Sequence, residues 1–343
     1  MKKKYQSMMR IGVGCVAMGA AMSTLAQETS KVEIYGLVGA YVSSSERSGG
    51  PKSVTQVGHG GLTTSFFGIR GSEDLGGGYK AIFAMESFFR TDTGAQGRSD
   101  TDPFFSRNSY VGVEGGFGKL TFGRQTNPTY INMGTLSPFG VSVVFSPLVL
   151  QSFVATYNGA FIGDTVWNNA IQYSTPRVGG FAGNLVYGMG EVAGHTGTAN
   201  LGAHGSYVNG NFTAAFSAQS FRAPVTAPMT RQDAYLLGAT YDFKVLKVYG
   251  SLGKSNAEGT KNDTRTVDLG VKIPVTAAGS ILAEWAQTKR TRDLVPRNTR
   301  DTVSVGYDHF LSKRTDVYAI YSYDKQTAFN SAGTYGVGIR HTF

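Results

Sequence analysis

The sequence contains a single cysteine, Cys15, among 343 residues, and this scarcity excludes whole classes of structure. One thiol cannot form an intramolecular disulfide or a cysteine-based zinc site. The chain also has no apolar run of about 20 residues, the length that a membrane-spanning helix needs. If the chain crosses a membrane, it must do so as a closed β-barrel, because open sheet edges would leave backbone groups unpaired in hydrocarbon.

Arrangements of residues that could carry out catalysis are scarce as well. None of the five histidines stands at a metal-ligand spacing from another histidine or a carboxylate. The glycine clusters at 76–78 and 115–118 fall in turns and do not open a helix, as a phosphate-binding loop would. Asp100 and Asp102 are better explained as solvated loop charge than as calcium ligands. We therefore expect no catalytic activity, metal or cofactor, and retain a barrel enzyme acting on lipids as an alternative.

The N-terminal residues have the layout of a secretory signal peptide. Residues 1–10 carry four basic side chains and no acidic one, and an apolar run follows at 11–22. Small residues before Gln27 offer a cleavage site, so we predict a signal peptide at 1–26 and a single domain at 27–343. Cleavage would lower the formal net charge from +9 to about +5, and the interspersed charges do not indicate nucleic-acid binding.

Most of the remaining chain alternates apolar and polar residues with a period of two. Aromatic residues make up 12% of the sequence although the mean hydropathy is slightly negative, which is typical of strands with one apolar face. The first strand, at 31–42, has Glu33 and Tyr35 opposite a face of small and apolar residues. Seven hairpins and a last strand follow at 63–89, 108–125, 168–187, 202–220, 234–252, 266–287, 302–324 and 333–343.

These segments add up to about sixteen strands, and short turns alternate with longer loops along the chain. An even strand number and this asymmetry are typical of bacterial membrane barrels, in which the first and last strands pair. The predicted fold class is therefore all-β, a transmembrane antiparallel β-barrel of about sixteen strands.

One long segment, 127–165, departs from the strand pattern. It contains three prolines, a single acidic residue, Asp164, and apolar clusters at 141–145 and 148–154. Long loops of this kind are usually functional, and so apolar a loop is poorly suited to solvent. We expect it to fold into the barrel and narrow the lumen, with an external flap as the alternative.

Side chains alternate between the two faces of each strand, and this alternation indicates which charged residues would line such a lumen. The residues selected by parity are Arg70, Lys80, Glu86, Arg107 and Arg340. Strict counting places Arg124 on the outer face with Leu120 and Phe122, yet Arg124 ends a strand where the long segment begins, so it is kept as a candidate. Arginines stay charged near neutral pH, so their excess predicts a channel that concentrates anions.

Several motifs together resemble the general trimeric porins of Gram-negative outer membranes. The motifs are Tyr35-Gly36, GSEDLGGGYKAIF at 71–83, SRNSYVGVEGGFGKLTFGRQ at 106–125, WNNAIQYSTP at 167–176 and VGIRHTF at 337–343. The resemblance implies an outer-membrane location, a homotrimer, and wall arginines facing acidic residues of the inward loop across a constriction. Phe66 and Val166 stand where that family typically has arginine.

These observations predict an outer-membrane porin for passive diffusion of small hydrophilic solutes and ions, surrounded by outer-membrane lipid and mildly anion-selective. Phe66 and Asp164 complete the candidate constriction, and we expect Phe66 and Val166 to receive the apolar side chains of the loop. An apolar constriction beside arginines favours an alternative, a specific channel for amphipathic or aromatic acids. A barrel adhesin that binds a partner through its loops is a further alternative.

Overall fold

The computed structural model describes residues 30–343 except 192, 194–198, 223–228, 261 and 293–294. The signal peptide predicted at 1–26 lies outside the described residues. Strands dominate the described chain, and consecutive strands are antiparallel neighbours except β2 and β3. The strands are β1 (Lys31–Ser45), β2 (Val54–His59), β3 (Phe66–Gly76), β4 (Tyr79–Phe88), β5 (Ser109–Gly115), β6 (Gly118–Thr126), β7 (Val166–Ser174), β8 (Phe181–Gly188), β9 (Asn200–Asn209), β10 (Phe212–Phe221), β11 (Arg231–Asp242), β12 (Lys247–Glu258), β13 (Asp263–Pro274), β14 (Gly279–Arg292), β15 (Val295–Phe310), β16 (Thr315–Gln326) and β17 (Ala332–Thr342).

The sheet closes on itself through its first and last strands. β1 pairs with β17 in antiparallel register from Leu37 opposite Thr342 to Ser45 opposite Thr334. β2 and β3 both pair with β1, one with its later half and the other with its earlier half, so they occupy one strand position. Seventeen strands thus fill sixteen positions, and the predicted sixteen-stranded antiparallel barrel is confirmed.

The break between β2 and β3 was not predicted. Gly60 and Gly61 both adopt positive φ there, a conformation that suits residues without a Cβ. The hydroxyl of Ser65 replaces part of the strand ladder, since it accepts a hydrogen bond from Gly39 N and donates one to Gly39 O, each at 3.0 Å. Backbone groups at the break are therefore satisfied without continuous pairing.

The two faces of the barrel wall differ as the alternation predicts. On β11, Tyr235 and Leu237 are exposed on the outer face, whereas Ala234 and Leu236 are buried on the inner face. Aromatic pairs such as Phe181 with Tyr207 lie near the short turns, as in the aromatic girdle of a membrane barrel. No helix among the described residues is long and apolar enough to cross a bilayer.

Residues 127–165 connect β6 to β7 and contain two short helices, α1 (Pro128–Leu136) and α2 (Pro147–Phe153). Each begins with a proline after a capping residue: the Asn127 side chain accepts from Thr129 N, and the Ser146 side chain accepts from Val149 N. Proline at the first helical position after a polar cap is a recognisable start signal. The two helices were nevertheless not predicted from it.

The inward loop, residues 127–165, crosses the lumen and packs its apolar side chains on the inner wall. On one side, Met133, Leu136 and Leu148 pack with Leu236 of β11. On the other, Phe145 is fully buried in a second cluster. That cluster contains Phe139, Phe145, Tyr41, Leu62, Leu282, Tyr318 and Ile320.

The predicted receiving surface is wrong, because neither Phe66 nor Val166 belongs to these clusters. The wall supplies its own apolar residues at inward positions of β1, β11, β14 and β16. Glycines make room beside them. A Cβ on Gly336 would lie 2.5 Å from Phe145 Cζ, and one on Gly238 would lie 2.6 Å from Leu136 Cδ1. The wall therefore fits the loop in two ways: apolar side chains contact it, and glycines leave space for it.

A buried carboxylate on β14 anchors the middle of the inward loop. Glu284, with 2% of its surface exposed, accepts hydrogen bonds from Ser137 Oγ at 2.6 Å and Ser146 Oγ at 3.2 Å. It also accepts from Leu148 N at 3.1 Å, in the first turn of α2. Three donors from the loop thus converge on one wall residue, and buried donors of this kind are costly to leave unpaired.

We predict that Glu284→Ala loosens the inward loop. Two buried hydroxyls and one backbone N–H lose their shared acceptor, which should lower the free energy of unfolding by roughly 2–4 kcal/mol. Thermal denaturation of the refolded protein and chymotrypsin cleavage within 127–165 measure the effect. The control is Glu114→Ala, which removes an exposed strand carboxylate. Equal melting temperatures and cleavage rates for the two variants would contradict the anchoring role.

Candidate functional site

Three predicted site residues meet on the inner wall where β3 and β4 approach the loop. Glu86 is buried and forms an ion pair with Arg107, with Oε1 and Nη1 2.5 Å apart. Glu86 also accepts short hydrogen bonds from the Tyr35 hydroxyl and Asn108 Nδ2. The guanidinium carbon of Arg107 lies 4.1 Å from the centroid of the Phe66 ring, within range of a cation–π contact.

Arg70 lies farther toward the short turns. Its Nε donates to Glu33 Oε2 at 2.8 Å, and its guanidinium carbon is 4.4 Å from the centroid of the Tyr35 ring. Tyr35 therefore links Arg70 to Glu86. Lys80 is exposed and stands opposite Glu114, just after the turn into β4, so the structure does not bring it to the other candidates.

The parity assigned to Arg107 needs correction. Arg107 precedes β5, so the alternation of that strand does not extend to it. Tyr110 of β5 stands opposite Ala84, which shares the inner face of β4 with Glu86, whereas alternation counted from an inward Arg107 would put Tyr110 on the outer face. Arg107 nevertheless points to the lumen side, because it contacts Glu86 and Phe66.

Arg124 lies at an irregularity in β6. The register with β7 shifts between Gly123 and Gln125, and Gly123 has a φ of +133°. The guanidinium of Arg124 donates to Ser106 O at 2.9 and 2.7 Å and to Asp164 Oδ2 at 3.3 Å. The outer-face position given by strict alternation is therefore wrong, because the bulge interrupts the period of two.

Asp164 is held by a second arginine that the sequence did not single out. Arg98 Nη1 and Nη2 donate to the two carboxylate oxygens of Asp164 at 2.7 and 2.9 Å, a bidentate pair. Arg98 also donates to both oxygens of Asp102, with Nε at 2.8 Å and Nη2 at 2.8 Å. The loop between β4 and β5 thus supplies a cation that is held beside the start of β7.

The electrostatic state of Asp164 follows from competing effects. Burial favours the neutral carboxyl, but the hydrogen bonds and charge of Arg98, together with the charge of Arg124, outweigh it and hold the pKa of Asp164 below its ordinary value. Burial raises the pKa of Asp102 and the hydrogen bonds and charge of Arg98 lower it, so that its pKa is also below the ordinary value. Both carboxylates are therefore ionised at neutral pH, and both are neutralised locally by arginine.

Arg340, on β17, lies at another part of the wall. Its Nε donates to Asp316 Oδ1 at 3.0 Å, and its Nη1 donates to Thr63 Oγ1 at 2.8 Å. Thr63 belongs to the break between β2 and β3. Arg340 therefore approaches the group around Phe66 through Thr63 and not by direct contact.

A second group of arginines surrounds the tip of the inward loop, at Tyr157 and Asn158. Arg290 Nη1 donates to Asn262 Oδ1 at 3.0 Å, and its Nη2 donates to the carbonyl oxygen of Asn158. Arg292 Nε donates to the same Asn262 oxygen at 3.3 Å. In the described part of the chain, neither arginine has a carboxylate partner.

A third arginine also lies beside the tip. The guanidinium carbon of Arg300 lies 4.5 Å from the centroid of the Tyr157 ring. Unlike Arg290 and Arg292, Arg300 is neutralised by a buried bidentate pair with Asp324, at 2.8 and 2.7 Å.

Four residues of the candidate site and its support, Arg98, Arg290, Arg292 and Glu284, were not singled out from the sequence. Glu284 lies within the predicted hairpin at 266–287 but was not selected there. Arg98 lies in a loop, where the sequence has no strand periodicity from which the direction of a side chain could be predicted. Arg290 and Arg292 continue the inward parity of Glu284 on β14, but they lie beyond the predicted end of that hairpin at 287. Within the described ranges, no group of three His, Cys, Asp or Glu residues is placed to hold a metal ion.

Comparison with known proteins places this barrel in a family. The family model described as Gram-negative porin matches residues 14–328. Outer membrane porin protein 32 of Delftia acidovorans is 30% identical over 336 residues, which cover 94% of this chain and 90% of that relative. An outer membrane porin protein of Bordetella pertussis is 29% identical over 334 residues, which cover 81% of this chain and 82% of that relative.

Solved structures show the same architecture. The anion-selective porin from Comamonas acidovorans superimposes with a TM-score of 0.79 at 27% identity, covering 92% of this chain and 100% of that chain. OmpT of Vibrio cholerae shares the fold with a TM-score of 0.68 at 14% identity, covering 93% of this chain and 100% of that one. The chain therefore belongs to the Gram-negative porin family, as an integral protein of the outer membrane that lets small solutes diffuse passively through its barrel.

Proposed function

We propose that this porin prefers anions, because two arginines that flank the tip of its inward loop have no carboxylate partner among the residues that the structure describes. The observation that carries the proposal is the pair Arg290 and Arg292, whose described hydrogen bonds go to carbonyl and amide oxygens. Oxygens of this kind satisfy guanidinium donors without cancelling their charge. Two positive charges therefore remain beside the path of a passing ion.

The acidic residues where the inward loop begins and ends on the wall do not oppose this field. Asp164, the one acidic residue of the loop, is shared by Arg98 and Arg124, and Glu86 is paired with Arg107. Each of these carboxylates is matched by at least one cation at short range. The net sign of the lumen is then set by the unmatched arginines, and charge in a narrow channel is poorly screened.

We propose that the constriction comprises Phe66, Arg70, Glu86, Arg107, Arg124, Asp164 and Arg340. Lys80 lies near the short turns and contributes at most to the field at that mouth. The description of the similar Comamonas acidovorans structure as an anion-selective porin supports the sign of the preference. The proposed role includes no catalytic step, in keeping with membership of a channel family.

Neutralising the tip arginines should weaken anion preference. We predict that Arg290→Gln combined with Arg292→Gln lowers the anion-to-cation permeability ratio by about twofold or more in 0.1 M KCl, and by less in 1 M KCl, where the Debye length shrinks to about 3 Å. Reversal potentials in planar bilayers under a salt gradient measure the ratio. Lys313→Gln, in the short turn before β16, is the matched control. A wild-type channel that prefers cations would contradict the proposal.

Removing the loop carboxylate should have the opposite effect. Asp164→Asn leaves Arg98 and Arg124 less compensated, so we predict a rise of roughly twofold in the anion-to-cation ratio at low salt. Because the pKa of Asp164 is lowered, the carboxylate stays ionised from about pH 5 to pH 8, and its contribution should be constant there. Protonation on further acidification should mimic the variant. A lower ratio in Asp164→Asn would show that Asp164 does not act on the permeating ion.

We also propose that the protein assembles as a homotrimer, as its resemblance to general trimeric porins implies. Sedimentation equilibrium in a density-matched detergent should then give three times the mass of one chain. A mass equal to one chain under conditions that preserve the barrel would contradict the trimer without affecting the proposed selectivity.

A further inference from the structure

A recess of about 190 Å³ opens between the start of the inward loop and the wall at β3. Its lining is largely carbon, although it belongs to the lumen of a channel for hydrophilic solutes. Its lining includes Thr64, Phe66, Arg107, Ile131, Val141 and Val166.

The apolar part of the recess comes from both the loop and the wall. Ile131, on α1, remains 52% exposed although the neighbouring α1 residues Asn132 and Met133 are buried. Val141 of the loop and Val166 of β7 line the same space. An isolated exposed isoleucine is common on protein surfaces, but here it lies with two valines and Phe66 in one concave site. Such a surface can bind an apolar group of a solute.

The recess also contains polar groups that can fix a negative charge. Arg107 uses one nitrogen, Nη1, for its ion pair with Glu86. Its guanidinium makes no further hydrogen bond within the described part of the chain, so Nε and Nη2 can donate to a ligand. The hydroxyl of Thr64 likewise has no partner among the described residues.

Glu86 reduces the charge of Arg107 but does not remove the site. The carboxylate of Glu86 is bound on its other sides by the Tyr35 hydroxyl and Asn108 Nδ2, so its negative charge is shared among three donors. The contact with the Phe66 ring and the ion pair with Glu86 together restrict the orientation of the Arg107 guanidinium. A planar, oriented guanidinium favours a carboxylate over a spherical anion such as chloride.

We propose that this recess is a binding site for small aromatic monocarboxylates during passage, with the ring against Ile131, Val141 and Val166 and the carboxylate on Arg107 and Thr64. An apolar cavity of ~150 Å³ accommodates benzene, so the observed volume suits one six-membered ring with a short acidic substituent. The site rests on the proposed anion-preferring channel, since it names a solute class for the same lumen.

Benzoate is the probe that tests the site. In planar bilayers at 0.1 M KCl and neutral pH, benzoate should interrupt or reduce the chloride current at concentrations at least about fivefold below those at which acetate does so. Equilibrium dialysis of benzoate against the refolded protein in detergent measures binding without conduction. Ile131→Ser should weaken benzoate binding by about fivefold, whereas acetate should reduce the current equally in the variant and the wild type.

Two further variants separate the parts of the site. Thr64→Val keeps the side-chain shape and should weaken benzoate binding by about threefold, and Arg107→Gln should weaken it by about tenfold. Benzyl alcohol, which has the ring but no charge, should bind at least about tenfold less tightly than benzoate. The control is Val178→Ser, in the turn between β7 and β8, which should bind benzoate like the wild type.

The outcomes distinguish this site from the proposed selectivity. Equal effects of benzoate and acetate, or equal benzoate binding by wild type and Ile131→Ser, overturn the recess as a binding site even if the channel prefers chloride. A cation-preferring channel that nevertheless binds benzoate in dialysis, with loss in Ile131→Ser, overturns the proposed selectivity and retains the site.

Discussion

The hydrogen bonds that Glu284 accepts from the inward loop are the interaction on which the site depends. Ser137, Ser146 and the start of α2 are tied to one wall position, and the apolar clusters on either side of that point then fall into register with the barrel. A loop of this composition could not remain in an aqueous lumen without such packing. These hydrogen bonds thus hold the long connection between β6 and β7 at one position inside the barrel. The positions of α1 and of the loop tip depend on them.

Charge in the lumen is distributed unevenly as a result. Where the loop begins and ends on the wall, carboxylates and arginines are paired closely, as in the contacts of Asp164 with Arg98 and Arg124. At the loop tip, Arg290 and Arg292 donate to carbonyl and amide oxygens, whereas Arg300 is paired with Asp324. The first arrangement holds the loop ends in place with little net field, and the second leaves a field that acts on ions. In the proposed function, structural support and selectivity therefore belong to different arginines.

The fold shows what the apolar side chains of Phe66 and Val166 contact. Phe66 and Val166 do not receive the loop's main apolar clusters, which pack on β11, β14 and β16. They face a recess instead, and Phe66 also supports Arg107 through the stacked guanidinium. Phenylalanine and valine at these two positions, where the resemblance implies arginine, form a carbon surface beside the cation of Arg107. A pore with that combination can distinguish solutes by their apolar part as well as by their charge.

The closed barrel, its sixteen positions and the exceptional segment 127–165 could all be predicted from the amino-acid sequence, because alternation and turn chemistry are local properties that do not depend on distant contacts. The same rule placed Arg70, Glu86 and Arg340 on the inner face. The pairing of charges could be determined only from the folded barrel. Arg98 reaches Asp164 from a loop without periodicity, and Arg124 lies at a bulge that breaks the period of two. The packing position of the loop also could not be predicted from the sequence. It depends on wall residues that are distant from the loop in the chain but adjacent in space, such as Gly336, which leaves room for Phe145.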